Sequence, residues 1–308
     1  MTTFVEDLQR DPSLPDPTAP LTASGNLRRR AAVSRAVAIL ATAAAVFAVA
    51  MLINVIYTVV HKGAPVLSLG FLIHNSSGLA GGGIANALIG TAVIVTFAAL
   101  IALPVGILNA LYLTEFASPR SRFAQALQMV LDMLQGMPTV MVGIVVYGLI
   151  VATEHKETGF AGSLALAIIM LPLIARSSQE VLRLVPSSLR EAADALGVAR
   201  WRSVLGVILP TATGGIATGA ILSIARAAGE TAPLLIVNSL YNPGSTELMI
   251  FGHGVPSIPM YIYTTYDLPT SSAVALAWGA ALVLLTFILI ANVGARVLLA
   301  RSRAKMGL

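Results

Sequence analysis

Six separate runs of predominantly apolar residues dominate the chain, at approximately 36–60, 84–112, 126–152, 160–182, 212–240 and 272–296. A helix needs about 20 such residues to cross the roughly 30 Å hydrocarbon core of a bilayer, so the pattern predicts an all-α integral membrane protein with six transmembrane helices. Charge supports this reading. Only 11% of the 308 residues are charged and 56% are hydrophobic, against about 25% charged in ordinary soluble domains. Cysteine is absent, which excludes a disulfide frame or thiolate metal site. The four histidines (His61, His74, His155, His253) are too scattered to suggest a metal cluster.

The net charge of +5 reads as membrane topology rather than nucleic-acid binding, because the basic residues flank the apolar runs. With the amino terminus inside, fifteen of the nineteen basic residues fall in inner segments, only Lys62 and Lys156 in outer loops, and Arg176 and Arg226 within or beside spans. Both termini are therefore expected to be cytoplasmic. The sequence divides into a polar, Pro- and Thr-rich tail (1–34), expected to be disordered and not a cleaved signal, a membrane domain (35–300) with a charged loop at 186–210, and a short cytoplasmic tail (301–308).

Two charges fall where they are most costly. Arg226 and Glu230 interrupt the apolar run from Thr211 to Leu240, and an ionised side chain at the centre of a membrane helix costs roughly 2.5 kcal/mol or more. Such residues normally face a partner, a bundle interior or a polar pathway. Their spacing of four places them on one helix face, where Glu230 can neutralise Arg226. The alternative is a permanent ion pair holding the bundle together. Arg176 is a second candidate, with snorkelling to headgroups as its alternative. Asp132 could meet Arg176 or Arg226, or face water. Asn54, Asn86, Asn109 and Asn238 suit hydrogen bonds between helices, and Tyr241, Tyr261, Tyr263, Tyr266 and Trp278 suit an interfacial belt.

The loop VLRLVPSSLREAADALGVARWRSVLGVILPTA reads as two short helices. Ser188 with Glu191 three residues on matches a capping box, Gly197 supplies a left-handed stop, and a second run from about Ala199 to Leu209 is expected to end at Pro210. The result is an amphipathic elbow.

The order Glu191, Ala192, Ala193, three residues, Gly197, nine residues, Val207, one residue, Leu209, Pro210 resembles the EAA loop of ABC importer permeases, with Val207 in place of the usual Ile. ARAAGETAPLL (225–235), LPLIARSSQEVLRLVPSSLREAADALG (171–197), GMPTVMVGI (136–144) and SIPMYIY (257–263) are similar to segments of the phosphate-specific permeases, in particular the A-type member of their heterodimeric pair. The resemblance covers about residues 30–300. It implies the type I importer (MetI-like) permease fold in the plasma membrane. It implies no enzymatic activity in this chain and no cofactor bound by it, with ATP and Mg on a partner ATPase. The implied partners are a C-type permease, a B-type ATPase homodimer and an extracytoplasmic phosphate-binding protein, besides the lipid bilayer and inorganic phosphate, with no nucleic acid. The elbow, through Glu191, Ala192, Ala193, Gly197, Leu209 and Pro210, would dock on the ATPase. By the same resemblance Arg176, Arg226 and Glu230 belong to the substrate pathway. Guanidinium forks suit that role, since they can contact two oxygens of an anion at once. Another oxyanion such as molybdate or sulfate, or an ATP-independent channel or secondary transporter, are the competing readings. The absence of a G-x-x-x-x-G-K-[ST] loop means that energy must come from outside the chain.

Overall fold

A computed structural model of the protein describes residues 27–77, 81–118, 120–239 and 250–306; most of the expected tail 1–34, together with Tyr241, lies outside the described residues. The chain divides into two compact units, residues 1–57 and 58–308. The first holds most of α1 (Leu27–Gly63), a 37-residue helix with no proline and no strongly polar stripe.

The second unit contains α2 (Leu69–Ile73), α3 (Ala85–Leu111, extended by a π turn Tyr112–Phe116), α4 (Arg122–Gly136) and α5 (Thr139–Val146, extended by a π turn Tyr147–Val151). After these come α6 (Gly159–Leu184), α7 (Ser187–Ala195), α8 (Arg200–Ser203, followed by a π turn Val204–Ile208), α9 (Leu209–Ala228), α10 (Ala232–Val237), α11 (Ile258–Tyr266) and α12 (Ser271–Met306). Among the described residues five helices are long and apolar enough to cross a membrane. The bent pair α4–α5 makes a sixth span if counted as one.

Three expectations from the sequence change here. The third span is two helices meeting at 107° rather than one: the chain breaks at Met137–Pro138, both extended in ψ (135° and 132°), because the residue before a proline is pushed away from helical geometry. The fifth span ends at Ala228, where Gly229 caps it, and its last residues form the separate short α10. Pro210 does not end a helix. The preceding π turn loosens the backbone ladder where Pro210 has no N–H to give, so the run continues from Arg200 to Ala228.

The core is built on α3 and α6, which run in the same direction. Ile94, Ala98 and Ala102 of α3 pack with Leu166, Met170 and Ile174 of α6, and further along Ala110 and Leu111 share a cluster with Leu182, Val204 and Ile208. Small residues permit the approach: a Cβ on Gly106 would lie 2.8 Å from Ile174 Cγ2, as expected where membrane helices pack by close contact rather than by a hydrophobic drive between them. Helix α9 returns antiparallel to α6, with Gly215 against Val181 and Gly219 against Ser177.

At the end of the bundle opposite α7, the 250–258 segment is pinned by side chains. Asn238, fully buried, donates from Nδ2 to the Val255 carbonyl (2.7 Å) and accepts from Val255 N–H (2.8 Å). Thr91 Oγ1 accepts from Ile258 N–H at 2.8 Å. The asparagine thus bonds a loop backbone, satisfying both groups of one buried residue.

Candidate functional site

Arg226 is the third residue from the end of α9, and Glu230 follows the Gly229 cap. The four-residue spacing brings the pair together around a helix end. Arg226 Nε lies 3.7 Å from Glu230 Oε1, beyond hydrogen-bond length, so the contact is a loose ion pair. Glu230 is mostly covered (17% exposed) while Arg226 is 61% exposed. The guanidinium borders a cavity of about 170 Å³ whose walls include Gln135 of α4, Thr139 at the start of α5, and Ile169, Pro172 and Leu173 of α6. The cavity therefore forms at the break between α4 and α5, where helix ends leave backbone groups free of intrahelical partners.

Arg176 lies one turn along α6 from Pro172 and Leu173, outside the walls of that cavity. Its guanidinium pairs with the Asp132 carboxylate of α4. The Gln128 amide, one turn away on α4, lies against the same guanidinium, and with its oxygen turned inward it accepts from Nη2 at 2.7 Å. The structure thus resolves the question left by the sequence: Asp132 meets Arg176, and Arg226 keeps Glu230.

The elbow turns at Gly197 as expected, but its first helix starts differently and its second runs on into α9. Helix α7 begins at Ser187 with Pro186 at its N-cap and no side-chain cap, so Ser188 lies inside the first turn and the capping box does not form. A stronger tie fixes this turn instead. Arg190 donates to both oxygens of Glu115 (Nη2 to Oε1 2.8 Å, Nε to Oε2 3.3 Å) and to the carbonyls of Leu182 and Val185 (2.9 and 2.8 Å). One guanidinium therefore joins α7, the end of α6 and the π turn ending α3. Hydrogen bonding to Glu115 holds Arg190 above its ordinary pKa, with burial opposing and the nearby negative charge assisting. Neither Glu115 nor Arg190 stood out as a site residue in the sequence.

Glu191 and Ala192 of the EAA motif are exposed, Ala193 is buried, and Leu209 and Pro210 lie at the start of α9. Gly197 has φ +66°, and a Cβ there would meet nothing within 4 Å. Its requirement is conformational alone. Gly197→Ala is expected to cost about 1–2 kcal/mol and Gly197→Asn less, measurable as faster amide exchange across residues 187–203. Equal exchange in all three proteins would remove the conformational argument. Around the turn, Leu196 (80% exposed), Val198 and Trp201 are exposed apolar side chains.

The α-helical bundle has the fold of ABC importer permeases. It is similar to the inward-facing MetNI methionine ABC transporter (TM-score 0.53, 17% identity, covering 71% of this chain and 94% of that one). It is similar also to a bacterial alginate ABC transporter solved with an alginate pentasaccharide-bound periplasmic protein (TM-score 0.58, 14% identity, 91% and 96%). The family model for binding-protein-dependent transport system inner membrane components matches residues 102–304, and the chain belongs to that family, whose members are multi-pass transport subunits rather than enzymes. Its relatives include phosphate transport system permease protein PstA of Yersinia pestis, 35% identical over 88% of this chain and 91% of that protein. PstA of Xylella fastidiosa is 36% identical over 92% and 98%.

Proposed function

We propose that the chain is the A-type permease subunit of an ATP-driven importer of inorganic phosphate. The observation that carries this reading is Arg226: a guanidinium held only loosely by Glu230, facing a cavity with Gln135 and Thr139 at the break in a membrane span. An oxyanion entering that cavity can exchange with the Glu230 carboxylate on the fork, and the carboxylate, still nearby, limits how tightly the anion is kept. The names of the relatives support phosphate as the anion. Arginine placement supports cytoplasmic termini and a cytoplasmic elbow.

A C-type permease completes the pathway, and an extracytoplasmic binding protein delivers phosphate. A B-type ATPase dimer, which binds ATP and Mg, receives the exposed side chains of Leu196, Val198 and Trp201 in a groove, as amphipathic helices commonly dock. Closure of the ATPase then moves α7, and through it the ends of α3 and α6.

In the reconstituted complex, Arg226→Lys is expected to assemble normally yet take up phosphate at least about tenfold more slowly, since an ammonium cannot offer the planar two-point contact. Wild-type uptake by this variant would reject the fork. Stimulation of ATP hydrolysis by sulfate or molybdate but not by phosphate would move the substrate assignment to another oxyanion.

A further inference from the structure

We infer that α4 and α6 form a polar seam that carries the anion from the Arg226 cavity to a second anion site at Arg183; this rests on the phosphate-import reading above. Three independent features of the helix pair support it.

The first is spacing. Gln125, Gln128, Asp132 and Gln135 recur at intervals of three, four and three along α4, which places them on one helix face. Arg176, Gln179 and Arg183 recur at three and four along α6 and form a matching stripe. The Asp132–Arg176 pair, with Gln135 sharing a cavity with Leu173 and Arg226 and Gln125 sharing one with Arg183, sets the two stripes antiparallel. Gln125, Asp132 and Gln135 are exposed on this chain; a row of amides and a carboxylate facing lipid would be costly, and here the row borders arginines along one edge.

The second is space at both ends of the seam. Gln135 lines the Arg226 cavity. At the other end Arg183, Gln125, Gln128 and Ser118 border a cavity of about 290 Å³, room for several waters at about 30 Å³ each or for a partly hydrated oxyanion. Gln128 belongs both to this cavity and to the Arg176 guanidinium, so polar groups are continuous between the two ends. From Arg176 to Arg183 the rise along α6 is about 10 Å, with Gln128 of α4 beside both ends of that distance and Gln179 between them along α6.

The third is an unmet demand. Gln179 is 2% exposed, and neither its amide oxygen nor its nitrogen has a hydrogen-bond partner. Folded interiors leave few such groups, and each calls for an occupant. Water or a passing anion in the seam provides one.

The charges suit transit. Arg226 and Arg176 each hold a carboxylate that the anion must displace, which prevents trapping. Among the described residues Arg183 forms no ion pair, so the last station attracts the anion without competition before release to solvent.

The test uses the complete transporter in proteoliposomes, with its binding protein and radiolabelled inorganic phosphate. Gln179→Leu removes an unsatisfied buried amide and is expected to melt no lower than wild type. It should nevertheless move phosphate at least about fivefold more slowly, with unchanged half-saturation for external phosphate and less phosphate moved per ATP hydrolysed. Arg183→Gln is expected to show the same loss per ATP. Wild-type transport by both variants would overturn the seam, as would a lowered melting temperature of Gln179→Leu, which would assign the amide a packing role. The outcomes separate the two readings: loss of uptake in Arg226→Lys with wild-type transport in both seam variants leaves phosphate import standing and removes the seam. The reverse pattern keeps the seam and removes the Arg226 fork.

Discussion

Arg190→Ala is expected to destabilise the protein by about 3–5 kcal/mol, the cost typical of stranding one member of a buried ion pair, and to affect stability more than Glu115→Ala. The asymmetry follows from burial. Glu115 is 2% exposed and its carboxylate would be left without the guanidinium that contacts both oxygens, whereas Arg190 is 27% exposed. After Glu115→Ala, Arg190 would still donate to the Leu182 and Val185 carbonyls and could reach water. The strength of the pair itself is not the point, since buried ion pairs contribute little net stability when both members are present. Thermal melting of the detergent-purified complex measures both variants. Equal melting temperatures for Arg190→Ala and wild type would show that the tie between α7, α6 and α3 carries no structural load. Glu115→Gln keeps an acceptor and should fall between wild type and Glu115→Ala.

Gly90→Val is the second large effect, expected at about 3 kcal/mol or more, at the upper end of overpacking costs. A Cβ on Gly90 would run into the Pro256 carbonyl oxygen, with Val255 Cγ1 2.9 Å away. The obstacle is backbone that cannot easily yield, because Asn238 holds Val255 from one side and Thr91 holds Ile258 from the other. Gly148→Ala serves as the contrast: its Cβ would meet nothing within 4 Å, so it should be neutral. Recovery of monodisperse protein and its melting temperature read the difference. A Gly90→Val protein as stable as Gly148→Ala would mean that the 250–258 segment shifts freely.

How much of this was legible in the sequence depended on the range of the interaction. Apolar runs of about 20 residues are a local property, so the spans could be located, and the left-handed turn at Gly197 was equally local. The EAA spacing was visible because its residues lie within one loop. Pro210 misled because a proline's missing N–H normally ends or kinks a helix, and the π turn that accommodates it has no simple local pattern. The capping box at Ser188 and Glu191 does not form because the helix starts earlier, at Ser187 behind Pro186; the tie that holds this turn is long-range, since Glu115 is 75 residues from Arg190, and nothing in either segment alone announces the pair. Asp132 stands between two candidate arginines in the sequence for the same reason, since its partner Arg176 is 44 residues away. The polar stripe of α4 could have been read from its three-four-three spacing, but three glutamines in a membrane span draw less notice than two opposite charges.

The break between α4 and α5 has a consequence for insulation. A bilayer resists ions because its interior is dry, and a continuous helix preserves that dryness by satisfying its own backbone. Two helices meeting at 107° cannot, and irregular backbone at membrane depth survives only when covered by protein or bathed in water. With Arg226 largely uncovered beside the break, the electrical seal at this depth belongs to the assembled pair of permeases. Assembly therefore has to precede, or accompany, the placing of this break in an energised membrane.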